Sequence, residues 1–197
     1  MNSVFKFYSK RNTVLLCGGV VEKHVASAEA AAFEASMLKR LFAAGVPVPQ
    51  LIAQENHIIR MSYLPGETLP DLMTRLEKDA DKALLFRAAD SLIEWLENFY
   101  RAVDADEVRG DVNGRNFIWD GQRWWGVDFE ERAAGDREED IGRLLAFVLT
   151  YDPPNTPIKI SFADRLQKKA VSLFAVDPNV ISHYRDLELL VMQSRRS

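Results

Sequence analysis

Asp111, Asn116 and Asp128 are the residues whose types and spacing best suit chemistry. Asp111 and Asn116 lie in the loop Arg109-Gly110-Asp111-Val112-Asn113-Gly114-Arg115-Asn116, and Asp128 lies in Gly126-Val127-Asp128-Phe129-Glu130. The chemistry such a trio suits is transfer of the terminal phosphoryl group of ATP to a hydroxyl. That transfer asks a protein for positioning and charge neutralisation more than for covalent chemistry. A carboxylate beside the attacking hydroxyl orients it and can accept its proton, and Asp111 is the candidate. Mg²⁺ takes oxygen ligands, commonly one or two side chains with phosphates and water. Asn116 and Asp128 are the candidate metal ligands.

These residues need an element that brings 116 and 128 side by side. The segment from Phe117 to Val127 supplies it. Apolar residues flank Asp120-Gly121, a strong hairpin-turn signal. A β-hairpin here sets its two ends next to each other.

The 197 residues suffice for one compact unit or two small lobes, and 47% hydrophobic residues allow a real core. The net charge of −4 provides no basic field for nucleic acid. The lone cysteine, Cys17, sits in an apolar run and reads as a strand residue, so disulfide frameworks are excluded. No apolar run approaches membrane-spanning length and no signal-peptide pattern opens the chain. A cytoplasmic setting away from membranes is the expectation.

Alternation predicts strands at Val4–Tyr8, Thr13–Cys17 and Val20–Val25, with turns at 9–12 and Gly18-Gly19. Ser27 is a candidate cap for a helix carrying Phe33, Met37, Leu38 and Leu41 and ending near Gly45. After Pro47 and Pro49, two more strands run over 51–55 and 57–61. The expectation is a five-stranded sheet with one helix inserted after its third strand. From about residue 63 the pattern turns helical, with helices at 69–78, 81–103, 140–150, 162–174 and 179–193. Leu85, Leu92, Ile93, Leu96 and Tyr100 face inward on the second. A boundary near residue 63 divides a first lobe, 1–62, from a second, 63–197.

The layout over about residues 13–150 resembles the kinase-like fold, in its small atypical branch. That branch holds aminoglycoside and choline phosphotransferases, RIO-type kinases and the small kinases associated with tRNA modification. Val20-Val21-Glu22-Lys23 looks like the third-strand lysine motif. Phe33 to Leu38, then Gly45-Val46-Pro47-Val48-Pro49, is similar to the helix and Pro-rich turn of the phosphotransferases. Tyr63 to Leu69 is similar to their hinge. Arg109-Gly110-Asp111 to Asn116 resembles their His-Gly-Asp loop, and Val127-Asp128-Phe129-Glu130 an Asp-aromatic-Glu variant of Asp-Phe-Gly. The resemblance implies an α+β, bilobal protein-kinase-like fold: a five-stranded antiparallel sheet with one helix, then a mainly helical lobe. It implies ATP and Mg²⁺ as cofactors, Lys23 on the α- and β-phosphates, and Glu34 paired with Lys23. It also implies backbone groups near Ser62 and Leu64 against the adenine, and Asp140 bracing the catalytic loop.

The chain departs from that pattern in places. The first turn, Ser9 to Asn12, has no glycine, although Lys10, Arg11 and backbone amides stand there for phosphates. Arg109 replaces the usual histidine, and Asn113 a common His or Lys. The interval from Asp128 to Asp140 leaves no room for a long activation segment. The leading expectation is a kinase acting on a hydroxyl of an unidentified small molecule or protein. The alternatives are a nucleotide-binding pseudokinase or scaffold, and an ATPase switch working with a partner protein.

Overall fold

The structure is a computed structural model and describes residues 4–7, 9, 11–130 and 133–195. Its first part is a five-stranded antiparallel sheet of β1 (Val4–Phe7), β2 (Thr13–Cys17), β3 (Val20–His24), β4 (Leu51–Glu55) and β5 (Ile58–Ser62), ordered β1-β2-β3-β5-β4. Gly18 and Gly19 both take positive φ, 57° and 83°, in the two-residue turn between β2 and β3. Such turns match the right-handed twist of the strands they join. Tyr8, the expected end of the first strand, and Lys10, within the expected turn at 9–12, lie outside the described residues. Val25 falls just beyond β3, where its N–H donates to the His57 carbonyl at 3.0 Å.

Helix α1 (Ala28–Ala43) crosses between β3 and β4. The Ser27 hydroxyl accepts from the Ala30 N–H at 3.2 Å, and Gly45 at φ 78° follows its end. Met37, Leu38 and Leu41 are buried on its inner face.

The second part is mainly helical. It contains β6 (Glu67–Thr68), α2 (Leu69–Asp79), α3 (Lys82–Ala102), β7 (Glu107–Val108), a 3-10 turn at Gly114–Asn116, β8 (Phe117–Trp119), β9 (Trp124–Gly126), β10 (Ala133–Ala134), α4 (Arg137–Thr150), α5 (Pro157–Phe174) and α6 (Pro178–Ser194). The five residues expected to face inward on α3 are all buried. Two helices begin earlier than their apolar pattern suggests. Helix α4 starts at Arg137 rather than Asp140: extended Asp136 stands at the N-cap position without a side-chain capping bond, and Glu138 and Glu139 suit the first turn. Helix α5 starts at Pro157 rather than Phe162, since Pro fits a first helical position and Thr156 caps it. The first turn of α4 is polar and carries no apolar period, and in α5 Ile158 and Ile160 fall at strand-like spacing, so periodicity alone leaves both turns out.

The hairpin β8–β9 forms around Asp120-Gly121 and pairs Phe117 with Gly126. Strand β6 extends it into a three-stranded sheet, and β7 pairs with β10. These two-residue strands carry no period to read. Trp119 and Trp124 are both buried in the helical part, and the Trp124 indole N–H donates to the Ala88 carbonyl at 2.8 Å. The two parts join at Pro47. Its carbonyl accepts from the Trp95 indole N–H at 2.9 Å and from the Gly126 N–H at 3.0 Å. Among the described residues no helix is long and apolar enough to cross a membrane.

Candidate active site

Lys23 lies on β3, the middle strand of the sheet, and is buried. Its Nζ meets Glu34 Oε2 at 2.8 Å and Oε1 at 3.0 Å, Asp128 Oδ1 at 2.6 Å and Glu130 Oε1 at 2.8 Å. One ammonium therefore joins α1, the sheet and the segment after β9. Burial pushes Lys23 down, but the charges of Glu34 and Asp128, with hydrogen bonds to Asp128 and Glu130, outweigh it and hold the group above its ordinary value. Burial pushes Glu34 up against the pull of Lys23. Burial also pushes Asp128 up, but Lys23 and then Arg109 more than reverse this, and it stays below its ordinary value. Asn12, from the turn between β1 and β2, donates its amide to Glu130 and brings that turn to the same cluster.

Asp128 sits at φ 68°, a left-handed conformation that a non-glycine residue adopts only when its surroundings hold it. Arg109 does much of the holding. Its Nη2 donates to the Val127 carbonyl at 2.6 Å and the Asp128 carbonyl at 2.8 Å, and its guanidinium lies 4.5 Å from the centroid of Phe129. Phe129 is buried and stacked on Phe99, while its N–H donates to Glu34 at 3.3 Å. Burial lowers the proton affinity of Arg109, and the charges of Asp111, Asp128 and Asp140 oppose that. An arginine in this setting keeps its charge.

Asp140 is fully buried. Its Oδ2 accepts from the Arg109 N–H at 2.7 Å and the Tyr100 hydroxyl at 2.9 Å, and its Oδ1 accepts from the Gly110 N–H at 2.9 Å. Burial raises its proton affinity, and these donors work against the rise. The helix N-cap is Asp136, so Asp140 instead lies inside the first turn of α4 with its carboxylate spent on the loop. Gly110 takes φ 71°, and a Cβ there would stand 2.5 Å from the Ala133 Cβ. The loop thus follows a path only glycine allows.

Held this way, the loop leaves Asp111 exposed and Asn116 buried. The Asp111 carboxylate accepts from the Asn113 N–H at 3.1 Å, and the Asn116 amide donates to the Asp111 carbonyl at 3.4 Å. The Val127 N–H donates to the Asn116 carbonyl at 2.9 Å, so the hairpin sets 116 beside the strand end that carries Asp128. At the other expected position, the Ser62 N–H is committed to the Gln50 carbonyl at 2.9 Å. Ser62 therefore builds the wall, while the Leu64 N–H has no hydrogen-bond partner among the described residues.

Glu130, which the sequence shows only as part of the Asp-aromatic-Glu motif, and Asn12 join the Lys23 cluster only in the structure. Glu130 sits two residues past Asp128, a signal that was there to read. Asn12 carries none, because its contact depends on how the sheet folds over the segment after β9.

Residues 18–144 match the RIO domain. That span is well over half of the chain and includes Lys23, Glu34, Asp111, Asn116, Asp128 and Asp140. The chain belongs to the RIO domain family. It is also 29% identical over 107 residues to the EKC/KEOPS complex subunit BUD32 of Encephalitozoon cuniculi; the match covers 54% of this chain and 49% of that protein, about half its length. The RIO fold seen here superposes on an aminoglycoside phosphotransferase, APH(2'')-Ib in its ADP-bound form, with a TM-score of 0.72, 14% identity, and coverage of 94% of this chain and 82% of the other. The amicoumacin kinase hAmiN, in complex with AMP-PNP, Ca²⁺ and Ami, gives 0.60 at 14% identity over 95% and 80% of the two chains. A choline/ethanolamine kinase family protein from Mesorhizobium loti gives 0.53 at 15% identity over 98% and 87%. At these identities the likeness establishes an atypical protein-kinase-like fold.

Proposed function

We propose that this RIO domain is an ATP- and Mg²⁺-dependent phosphotransferase that moves the γ-phosphate to a hydroxyl of a small molecule or a protein. The observation that carries the reading is the Lys23 ammonium, ion-paired at once to Glu34 on α1 and to Asp128 after the hairpin. It is a buried cation facing the segment that carries the candidate metal ligand. In this reading the division into lobes falls between 62 and 63, and the cytoplasm is the compartment.

Each residue then has a task. Lys23, oriented by Glu34, binds the α- and β-phosphates. The wall at Ser62 and the Leu64 N–H receive the adenine. Asp111 is exposed at the loop surface, orients the acceptor hydroxyl and takes its proton. The acceptor oxygen bonds to the γ-phosphorus as the bond from that phosphorus to the ADP oxygen breaks. Arg109 and Asp140 touch no substrate; they hold the backbone of Asp128 and of the Asp111 loop.

The residues present fit Mg²⁺. Asp128 and Asn116 supply hard oxygen donors on adjacent strand ends, and carboxylate oxygens of Glu34, Asp128 and Glu130 lie within 4.8 Å of one another. When bound, the ion would neutralise charge on the β- and γ-phosphates. Asp128 and Asn116 would hold it.

A second reading, nucleotide hydrolysis serving a partner protein, is favoured by the relative that is named as a complex subunit and by exposed Leu187, Leu190 and Val191 on α6. One experiment separates the two. The protein is incubated with Mg²⁺ and γ-labelled ATP, beside Asp128→Ala, alone and with a cell extract split into protein and small-molecule fractions. Label in one fraction, lost in the variant, is the expected result and names the acceptor class. Release of phosphate only to water would favour the switch. Full transfer by Asp128→Ala would overturn the site.

A further inference from the structure

The acceptor side of the loop holds two polar groups that the reading above leaves unused. Tyr151, the residue just past α4, directs its hydroxyl at the loop between Asp111 and Asn116 and accepts from the Gly114 N–H at 2.8 Å. Gly114 makes room for it: a Cβ there would stand 2.5 Å from the Tyr151 oxygen and 3.0 Å from Leu69. A phenol that accepts one hydrogen bond still has its own proton to donate. Among the described residues nothing accepts that proton. Arg115 follows Gly114 directly and is exposed, with its N–H donating to the Asn113 side chain at 3.0 Å.

Exposed Arg101 and Arg165 are neutralised by Glu97 and Asp90, whereas Arg87 and Arg137, like Arg115, pair with no carboxylate among the described residues; what sets Arg115 apart is its place in the loop, next to the phenol and near Asp111. Among the described residues no carboxylate pairs with Arg115, although the acidic chain offers many. The phenol accepts from the Gly114 N–H at 2.8 Å, Arg115 is the next residue, and the Asp111 carboxylate accepts from the N–H of Asn113, just before Gly114, at 3.1 Å, so the cation, the phenol and the candidate base belong to one short turn. Burial raises the proton affinity of the phenol, while the Gly114 N–H and the Arg115 charge lower it.

We propose that Arg115 and the Tyr151 hydroxyl form an anion subsite beside Asp111, and that the acceptor is an alcohol bearing a phosphate or carboxylate group close to the hydroxyl that reacts. This rests on the phosphotransferase reading and narrows its acceptor class. A guanidinium offers a planar fork that matches such groups, and charge-assisted hydrogen bonds of this kind are strong. A free metabolite and a peptide segment can carry the same group, and the arms of the test distinguish them.

The test has two arms. In the first, the Arg115 side-chain Nε–H is followed by NMR, with ADP saturating the nucleotide site, while inorganic phosphate and then glycerol 3-phosphate are titrated. Arg115→Gln assigns the signal, and glycerol is the uncharged control. A saturable shift with both anions and none with glycerol is expected. No shift with either anion overturns the subsite whether or not the protein transfers phosphate, so this arm stands apart from the kinase reading.

The second arm compares γ-label transfer to glycerol 3-phosphate with transfer to glycerol, and to a serine peptide flanked by glutamates with one flanked by glutamines. Preference for the anionic member of either pair supports the proposal and names the source. For the preferred acceptor, Arg115→Gln is expected to raise KM about tenfold, with a smaller change in the KM for ATP. Tyr151→Phe should raise the acceptor KM less, and Arg115→Lys should restore part of the loss. Equal transfer to charged and uncharged members, or an acceptor KM unmoved in Arg115→Gln, overturns it.

Discussion

The guanidinium of Arg109 donates to the backbone carbonyl of Asp128 at 2.8 Å, across an interval of 19 residues in sequence. The loop that presents Asp111 and the turn that presents Asp128 are thereby one mechanical unit. A single guanidinium nitrogen, Nη2, serves two successive carbonyls, those of Val127 and Asp128, while the buried Nε has no hydrogen-bond partner among the described residues.

Shortening this side chain should uncouple the unit. Arg109→Ala leaves two carbonyls without a donor and removes the cation beside Phe129. A loss of about 2–4 kcal/mol in urea unfolding is expected. Arg109→Lys keeps the charge but not the two-carbonyl reach, and should recover less than half of that loss. Equal stability of Arg109→Lys and the natural protein would contradict the role given to the guanidinium's reach.

Lys23 has a structural consequence besides its proposed role with phosphates. Lys23→Met strands Glu34, and should cost about 3 kcal/mol by chemical denaturation. Adding Glu34→Gln removes the buried charge and should recover part of the loss. A double-mutant cycle reads this coupling; strictly additive losses would show that the pair is energetically independent.

Acid should act on Asp128 with a defined sign. Its folded-state proton affinity lies below the ordinary value of 3.8, so its stabilisation is complete above that pH and fades as pH falls through the lower folded value. The stability gap between the natural protein and Asp128→Asn, measured by urea unfolding at stepped pH, should be constant near neutrality and shrink below pH 3.8. Asp140 runs the other way. Burial lifts its proton affinity, so charging it costs stability at neutral pH, and that cost lessens as pH falls through its raised folded value. A gap that widens in acid would reject the assignment for Asp128.

Gly126 packs against the six-membered ring of the Trp95 indole. A Cβ there would come within 2.6 Å of Trp95 Cη2, and Trp95 is buried and held by its bond to Pro47. Gly126→Ala should lower stability by about 1–3 kcal/mol, read as a fall in Tm. Gly121→Ala, at φ 99° with nothing near the added carbon, should lower it through backbone strain alone.

Much of this was legible in the sequence for identifiable reasons. The five strands and α1 announce themselves through alternation, Gly18-Gly19 and Ser27, and the hairpin through Asp120-Gly121. That Asn116 lies beside the strand end carrying Asp128 was legible because a hairpin sets its two ends together; the tasks given to Asp111, Asn116 and Asp128 are part of the proposal. The Lys23–Glu34 ion pair came from the resemblance and from helix phase. What stayed hidden involves partners far apart in sequence. The reach of Arg109 to Asp128, the contact of Asn12 with Glu130 and the approach of Tyr151 to Gly114 each depend on tertiary placement. Their residue types alone read as solvated polar positions. The first turn of α4 is charged, so hydrophobic period is silent there, and the Ile158–Ile160 spacing at the start of α5 reads as a strand rather than a helix.

The carbonyl of Pro47 takes hydrogen bonds from α3 and from β9. Other bonds cross the same seam well away from it: Arg40 on α1 donates to the Ala102 carbonyl at 2.7 Å, and Lys23 and Glu34 meet Asp128 and the Phe129 N–H. The sheet is thus bolted to the helical part at several corners, like a plate rather than a flap, and the distance from Lys23 to the Asp128 turn is fixed by the fold itself.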